Sequence, residues 1–246
     1  MKLIDTHAHL DEIEEIDGAL ARAREAGVVA VVAVGSDLAS NEKILSLGQR
    51  YRGFVFPAVG LHPWRLKGQD LAANLSLIEQ ELPRCVALGE IGLDFAIDTP
   101  RERQEGIFQK LLTIAVREKK PVLLHARRAW AEALEFMKTL KVEKAVFHWY
   151  RGPLDILQRI LEEGYFISAT PAAAGSERHR RAIVRAPLEQ ILLETDAPEI
   201  YQGKPSEPKD LLIALYSVSQ LKGMEAEKIA GWTFENAVSF FNLNPG

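Results

Sequence analysis

Short apolar segments alternate with longer amphipathic segments along the whole chain. The clearest apolar segment, 28–35, is continuous, as expected for a strand covered on both faces. The amphipathic segments carry apolar residues at the spacing of one helical face, as in 101–119. The pattern predicts strands over 3–9, 28–35, 54–60, 86–91, 121–125, 144–148, 165–168 and 190–196. It predicts helices over 13–26, 41–50, 71–82, 101–119, 129–140, 154–162, 177–184, 208–221 and 226–241.

Eight strand–helix repeats follow one another without a linker or a change in composition. Such alternation indicates parallel strands, and eight repeats predict a closed (β/α)8 TIM-type barrel. The 246 residues match the ~250 residues of one such barrel, so we predict a single domain over 1–246. The main alternative is a doubly wound open sheet. No G-x-G-x-x-G pattern follows the first strand, so a dinucleotide site is not indicated.

The composition narrows the possible partners and surroundings. A formal net charge of −4 argues against binding nucleic acid through a broad basic face, although a local positive site is still allowed. The single cysteine, Cys85, excludes an internal disulfide and fits a reducing compartment. No apolar segment approaches the ~20 residues of a membrane span. We therefore expect a soluble, cytoplasmic protein, most simply a monomer, that does not bind membranes.

The first strand ends in a His-x-His pattern. Alternate side chains of a strand point to opposite faces, so His7 and His9 share one face. Two adjacent imidazoles at the end of a strand can bind one metal ion. The alternative is a strand whose two histidines are only solvated or hydrogen-bonded, and the motif by itself does not decide between them.

The rest of the chain favours a metal site. Five of the six histidines lie at or just after the ends of predicted strands: His7, His9, His62, His125 and His148. Glu90 and Asp196 lie at strand ends too, and in a barrel these ends converge on one mouth. So many ligands exceed the three of a usual single catalytic zinc, which favours two ions with Glu90 as the bridge. Imidazole and carboxylate donors suit zinc, manganese, cobalt or magnesium and do not select one.

The sequence resembles the TatD-like metal-dependent deoxyribonuclease family, within the amidohydrolase-type barrels. The matching motifs are Asp5-Thr6-His7-Ala8-His9-Leu10, Gly60-Leu61-His62-Pro63, Gly89-Glu90-Ile91-Gly92-Leu93-Asp94, His125-Ala126-Arg127, His148 with Gly152, and Leu193-Glu194-Thr195-Asp196-Ala197-Pro198. The resemblance implies a two-metal phosphodiester hydrolase, a nuclease and often a 3′–5′ exonuclease on DNA. It implies one site formed by His7, His9 and Asp196, a second formed by His125 and His148, and Glu90 between them.

Further residues could act on the water or on the substrate in phosphodiester hydrolysis. Asp196 could be the general base, and His62, which the resemblance places beside the metals, could donate to the leaving oxygen or hold the phosphate. Arg127 could make a bidentate phosphate contact, or only a surface ion pair. Trp64 could stack on a base, as could Trp149, or either could be a core or lid residue.

A second group of residues could support the site from behind. Glu194 and Asp94 could orient ligand histidines, although Asp94 could equally be a loop or cap residue. Asp5 could lie beneath the metals or simply start the first strand.

Three arginines, Arg178, Arg181 and Arg185, share one helix face, and His179 lies beside them. A solvated face is expected there, and contact with a nucleic acid strand is the alternative.

Two segments depart from the family pattern and leave other functions open. Residues 149–152 read Trp-Tyr-Arg-Gly, and residues 202–208 lack the family's Arg and Asn. The substrate-contacting walls are therefore altered while the predicted ligands are intact. An amide, lactone or phosphotriester hydrolase is the main alternative, although its usual bridging lysine is replaced by Glu90 here. A non-catalytic scaffold would predict a broken ligand set, and no position is broken.

Overall fold

The computed structural model describes residues 1–244, and its centre is a sheet of eight parallel strands that neighbour one another in chain order. This confirms the predicted barrel of a single domain. The strands are β1 Leu3–Ala8, β2 Val28–Val34, β3 Val55–Val59, β4 Ala87–Asp94, β5 Val122–Arg127, β6 Ala145–Phe147, β7 Phe166–Ala169 and β8 Ile191–Leu193.

Helices follow the strands and surround the sheet. They are α1 Ile16–Glu25, α2 Leu38–Arg50, α3 Leu71–Glu81, α4 Arg101–Arg117, α5 Trp130–Thr139, α6 Leu154–Glu162, α7 Glu177–Arg185, α8 Leu211–Lys222 and α9 Ala226–Phe241. Each predicted helix is present, with its ends shifted by a few residues. Within residues 1–244, every helix is too short or too polar to cross a lipid bilayer.

The strands bury apolar side chains on both faces, which produces two hydrophobic clusters. The larger cluster lies between the sheet and the helices. The smaller one takes alternate strand residues, such as Val32 and Leu123, and joins them to Phe240 and Phe241 at the end of α9. The Phe240 ring lies 5.1 Å from that of Phe166, at the start of β7. The end of α9 therefore covers the amino-terminal end of the barrel and leaves the opposite end open.

Side chains join β1 to β8, where the backbone ladder is reduced to one bridge between Ala8 and Ala197. The Asp5 carboxylate accepts hydrogen bonds from the Thr195 backbone N–H (2.9 Å) and hydroxyl (2.6 Å). The Thr6 hydroxyl donates to the carbonyl of Leu193. Burial raises the pKa of Asp5 to about 8, although the Thr195 hydrogen bonds favour its ionised form. Asp5 thus lies in the seam that nearly closes the barrel.

Three strand ends differ from the prediction by two or three residues, and one hairpin was not predicted. β4 continues past Glu90 to Asp94, and β5 continues to Arg127, with which Asp94 is in register. β8 ends at Leu193, three residues earlier than predicted. A short hairpin, β9 Ile200–Tyr201 and β10 Lys204–Pro205, was not predicted because its strands are only two residues long.

Gly92 allows β4 and β5 to continue side by side. Its φ is +153°, and a Cβ at this position would lie 1.9 Å from the backbone oxygen of His125. Gly106, inside α4, has open space around the position of its Cβ.

We expect Gly92→Ala to lower the free energy of unfolding by at least about 2 kcal/mol, because β5 must move away from the new methyl group. Gly106→Ala should instead raise it by about 0.5–1 kcal/mol, the usual gain of alanine over glycine within a helix. Urea unfolding of both variants beside wild type measures the two changes. Equal stability of the two variants would contradict this account of the β4–β5 contact.

Candidate metal centre

The open end of the barrel brings together all six residues predicted as metal ligands. They come from five strands or the residues directly after them: His7 and His9 at β1, Glu90 in β4, His125 in β5, His148 after β6 and Asp196 after β8. Parallel strands end at the same side of a barrel, which explains how residues 189 positions apart in sequence become neighbours. The candidate centre is therefore a product of the topology.

Glu90 lies at the middle of this group and is 2% exposed. Its Oε2 is 3.3 Å from Nε2 of both His7 and His9. Its Oε1 is 3.0 Å from Nδ1 of His125 and from Nε2 of His148. The two carboxylate oxygens of one residue thus face two separate pairs of imidazoles.

Asp196 adds a second carboxylate to one half of the group. Its Oδ1 lies 3.4 Å from Nε2 of His7 and 3.6 Å from Nε2 of His9. The residue has φ +55°, a conformation that aspartate tolerates better than most residues, and its N–H donates to the His7 carbonyl. Burial raises the pKa of Asp196, although the imidazoles of His148, His7 and His9 oppose that shift.

The donor atoms fit divalent cations. His7 is fully buried, and among residues 1–244 neither of its ring nitrogens has a hydrogen-bond partner. Leaving such atoms unpaired is costly, whereas a cation between an imidazole lone pair and a carboxylate would satisfy both. The His7 and His148 rings stack nearly parallel, with their centroids 4.4 Å apart. Nitrogen and oxygen donors without thiolate suit zinc, manganese or magnesium.

The buried carboxylates and imidazoles of the candidate centre favour each other's charged forms. Burial disfavours ionised Glu90, but His62, His148 and His7 hold its pKa well below the usual value. Burial likewise disfavours charged His148, but the carboxylates of Glu90 and Glu194 raise its pKa well above the usual value. The pKa of His9 rises to about 9, against the effect of burial, because Glu90 accepts its hydrogen bond. The field that favours these imidazolium ions also favours a bound cation.

His62 lies against the same carboxylate but presents a different atom. Its Nε2 is 3.3 Å from Glu90 Oε1, and its Nδ1 accepts the Trp64 backbone N–H at 3.1 Å. With Nδ1 used as an acceptor, the neutral ring carries its proton on Nε2. Burial lowers the pKa of His62 to about 4, so the ring is neutral near pH 7. Nε2 is therefore a hydrogen-bond donor at the edge of the group.

The Asp94 carboxylate contacts the predicted metal ligand His125 and both predicted substrate-binding residues, Arg127 and Trp64. Its carboxylate accepts hydrogen bonds from Trp64 Nε1 at 2.6 Å and from Arg127 Nε at 2.8 Å. It also lies 3.2 Å from Nε2 of His125. Burial opposes its ionised form, but these donors lower the pKa of Asp94. One carboxylate thus fixes the positions of a histidine, an arginine and a tryptophan.

Glu194 has a similar position behind His148. Its Oε1 is 3.4 Å from Nδ1 of His148 and accepts the Trp149 N–H at 3.0 Å. The residue is fully buried, and its pKa is lowered by His148 against the effect of burial. A carboxylate behind a ligand histidine restrains the orientation of its ring.

Two buried amides that hold the site together were missed by sequence reasoning. Gln104 of α4 accepts the Asp94 N–H and donates to the Asp94 carbonyl. Asn41 of α2 accepts the Gly60 N–H and donates to the Gly60 carbonyl, two residues before His62. A signal was present, because Gln104 lies four residues before Phe108 on the buried stripe of α4.

The prediction of a solvated setting for His179 was wrong. The side chain is 0% exposed. Its Nδ1 lies 2.8 Å from the Tyr150 carbonyl, and its Nε2 accepts the Thr170 N–H. One donor and one acceptor match a neutral imidazole, and burial lowers the pKa of His179 to about 4. The three arginines near it in sequence are exposed, as expected.

A cleft of about 440 Å³ opens above the candidate centre. Its lining includes five of the predicted ligands together with His62 and Arg127. Two apolar side chains stand on its rim, Trp64 at 56% and Ile200 at 64% exposure. Arg151 and Trp149 complete another side, with the guanidinium 5.0 Å from the indole centre.

A barrel with imidazoles and buried carboxylates at the carboxyl ends of its strands defines a metal-dependent hydrolase. The family described as "TatD related DNase" matches residues 4–242. The chain therefore belongs to the TatD family and is one of its metal-dependent hydrolases.

Individual relatives agree with this assignment. "Deoxyribonuclease TATDN3" of Homo sapiens is 31% identical, with 97% of this chain and 94% of the relative covered. "Uncharacterized metal-dependent hydrolase YjjV" of Escherichia coli is also 31% identical, with 98% of each covered. The crystal structure of YjjV has a TM-score of 0.91 at 30% identity and covers 98% of both chains.

We expect divalent ions to stabilise the chelator-treated protein. A ligand at 100 times its Kd adds about 2.7 kcal/mol, which should raise Tm by roughly 5–10 °C for a chain of this size. Glu90→Gln should lose most of this rise because it removes the charge shared by both halves of the group. Thermal unfolding with and without zinc, manganese or magnesium measures the effect.

Glu79→Gln is the matched control for that experiment, since Glu79 is an exposed carboxylate that pairs with Arg117 on the outside of the barrel. Its Tm rise should equal that of wild type. If Glu90→Gln keeps the full rise, or wild type shows none with any of the three ions, the carboxylate does not serve a metal centre.

Proposed function

We propose that the protein hydrolyses phosphodiester bonds in DNA with two divalent ions, most simply as a 3′–5′ exonuclease. The observation that carries the proposal is the position of Glu90, whose two oxygens face two different pairs of histidines. A carboxylate so placed can bridge two cations. The deoxyribonuclease names of several relatives support DNA as the substrate.

In this proposal each cation has its own ligands. His7, His9 and Asp196 would hold the first ion, and His125 and His148 the second. Zinc, magnesium and manganese all suit these donors. When bound, such ions polarise phosphoryl oxygens and lower the pKa of an attacking water. All ligands come from one chain, so the proposed site needs no second subunit.

Asp196 is proposed as the general base. Its carboxylate is 8% exposed and lines the cleft, so a water in the cleft can reach it. A carboxylate beside the attacking water can accept the proton that the water must release. Its Oδ1 faces His7 and His9, and the second oxygen can take the proton.

His62 and Arg127 are proposed to act on the phosphate. The neutral His62 ring can donate a hydrogen bond from its Nε2–H to the leaving oxygen or to a phosphoryl oxygen. Arg127 uses its Nε on Asp94, which leaves its terminal N–H groups for phosphate. Trp64 is fixed by the same Asp94 and exposes its ring at the rim, where a base can stack on it.

We expect the wild-type protein to shorten 5′-labelled single-stranded DNA in the presence of magnesium, manganese or zinc. Asp196→Asn should lower kcat by about 10²–10⁴-fold because it removes the proposed base. Glu90→Gln should abolish cleavage, while Glu79→Gln should be fully active. Gel analysis of the products over time shows whether nucleotides leave from the 3′ end.

The outcomes of this experiment separate the candidate functions. No cleavage by wild type with any of the three ions, or equal cleavage by Glu90→Gln, would overturn the proposal. Cleavage of a panel of lactones, amides or phosphotriesters by the same preparation would then favour the alternative hydrolase. Internal cuts, or digestion from the 5′ end, would overturn only the exonuclease polarity.

His62 provides a second test, because the proposal makes it a hydrogen-bond donor to the reacting phosphate and not a ligand. We expect His62→Ala to bind as much metal as wild type while its kcat falls by about 10²-fold or more. His125→Ala should instead lose metal, because its Nδ1 faces Glu90 directly. Metal analysis of both variants after dialysis checks this. A loss of metal in His62→Ala equal to that in His125→Ala would contradict the assigned role.

A further inference from the structure

Helix α7 carries a concentration of positive charge that the candidate centre does not use. Arg178, Arg180, Arg181 and Arg185 lie within nine residues, and all four are exposed. Several exposed arginines elsewhere pair with carboxylates, as Arg50 does with Asp17. Among residues 1–244, no carboxylate lies within ion-pair distance of the four α7 arginines, although their helix carries Glu177.

Three of these arginines form a row along the helix. Arg178, Arg181 and Arg185 follow the spacing of one helical face, opposite the buried His179 and Ile183. Seven residues of helix span about 10 Å, so the row has a length of about 10 Å. We call these three residues the α7 arginine row.

The first turn of α7 is attached to the wall of the cleft. His179 hydrogen-bonds the carbonyl of Tyr150, which belongs to the peptide that precedes Arg151. Arg151 lines the cleft and is exposed. Arg178 directly precedes His179. The His179–Tyr150 hydrogen bond therefore fixes the start of α7 to the segment of chain that carries Arg151.

We propose that the α7 arginine row binds the phosphodiester backbone of a single nucleic acid strand that extends out of the cleft past Arg151. This rests on the proposed function. One strand of B-DNA carries a phosphate per ~3.4 Å of helix axis, and the phosphates of an extended single strand lie farther apart, so a row of about 10 Å can contact up to about three phosphates. Guanidinium groups without carboxylate partners are free for such contacts.

The proposal predicts a dependence on strand length. A dinucleotide would occupy only the cleft, whereas a twenty-nucleotide strand would also reach the row. In the metal-loaded enzyme, Arg178→Gln/Arg181→Gln/Arg185→Gln should raise KM for the long strand by about tenfold or more without changing its kcat. The dependence of log KM on log salt should weaken by about 2, since each single-strand phosphate contact contributes ~0.7. KM for the dinucleotide should not change.

A matched control removes the same amount of charge elsewhere. Arg52, Lys110 and Lys228 are exposed, lack ion pairs among residues 1–244, and lie outside α7. Their combined replacement by Gln should leave both KM values near those of wild type. Arg178→Lys/Arg181→Lys/Arg185→Lys keeps the charge and should retain most of the long-strand affinity.

The outcomes distinguish a failure of the proposed function from a failure of the α7 arginine row. If wild type cleaves neither substrate, the proposed function fails. If it cleaves both, and the triple Gln variant keeps the KM and salt dependence of wild type, only the arginine row is overturned. The row is also overturned if the control variant shows the same loss. If the triple Gln variant loses the binding of wild type to phosphatidylserine vesicles but keeps its KM for DNA, the row binds a membrane surface and not nucleic acid.

Discussion

The structure depends on keeping one almost fully buried carboxylate charged. Burying an isolated ionised carboxylate costs several kcal/mol even after the protein relaxes. Glu90 is almost fully buried, and five imidazoles lie within 3.3 Å of its oxygens. Those histidines come from β1, β5 and the ends of β3 and β6, so only a barrel that gathers its strand ends can supply them. The fold and the chemistry are thus linked through a single side chain.

Support for that charge extends outward through successive hydrogen bonds. Asp94 fixes His125, and Gln104 of α4 in turn holds the backbone of Asp94 on both sides. Glu194 lies behind His148 in the same manner. The buried Asp94 is acceptable because its neighbours hydrogen-bond both its carboxylate and its backbone. The rigid part of the site therefore includes helix residues far from any substrate, whereas the rim around Trp64 is exposed.

Much of this arrangement could be predicted from the sequence, for physical reasons. The alternation of buried strands and amphipathic helices predicts the barrel, and barrel geometry brings strand-end residues together. The contacts that depend on close tertiary approach could not be predicted. β4 extends to Asp94 because Gly92 lets β5 approach, and Gln104 and His179 are buried although their residue types are usually exposed. A buried polar side chain needs a hydrogen-bond partner, and the periodicity of apolar residues along the sequence does not show which residue that partner is.

The distribution of charge also shows why a total charge is a weak guide to binding. The net charge of −4 argues against a broad basic face, yet fields at physiological salt extend only about 8 Å. Over its nine residues, α7 presents four exposed arginines and a single carboxylate, Glu177. His179 keeps this helix attached to the cleft wall and, being neutral, adds no charge of its own. An acidic protein can therefore present a positive path to its cleft, because the sign of the local surface, and not the sum over the chain, decides the attraction.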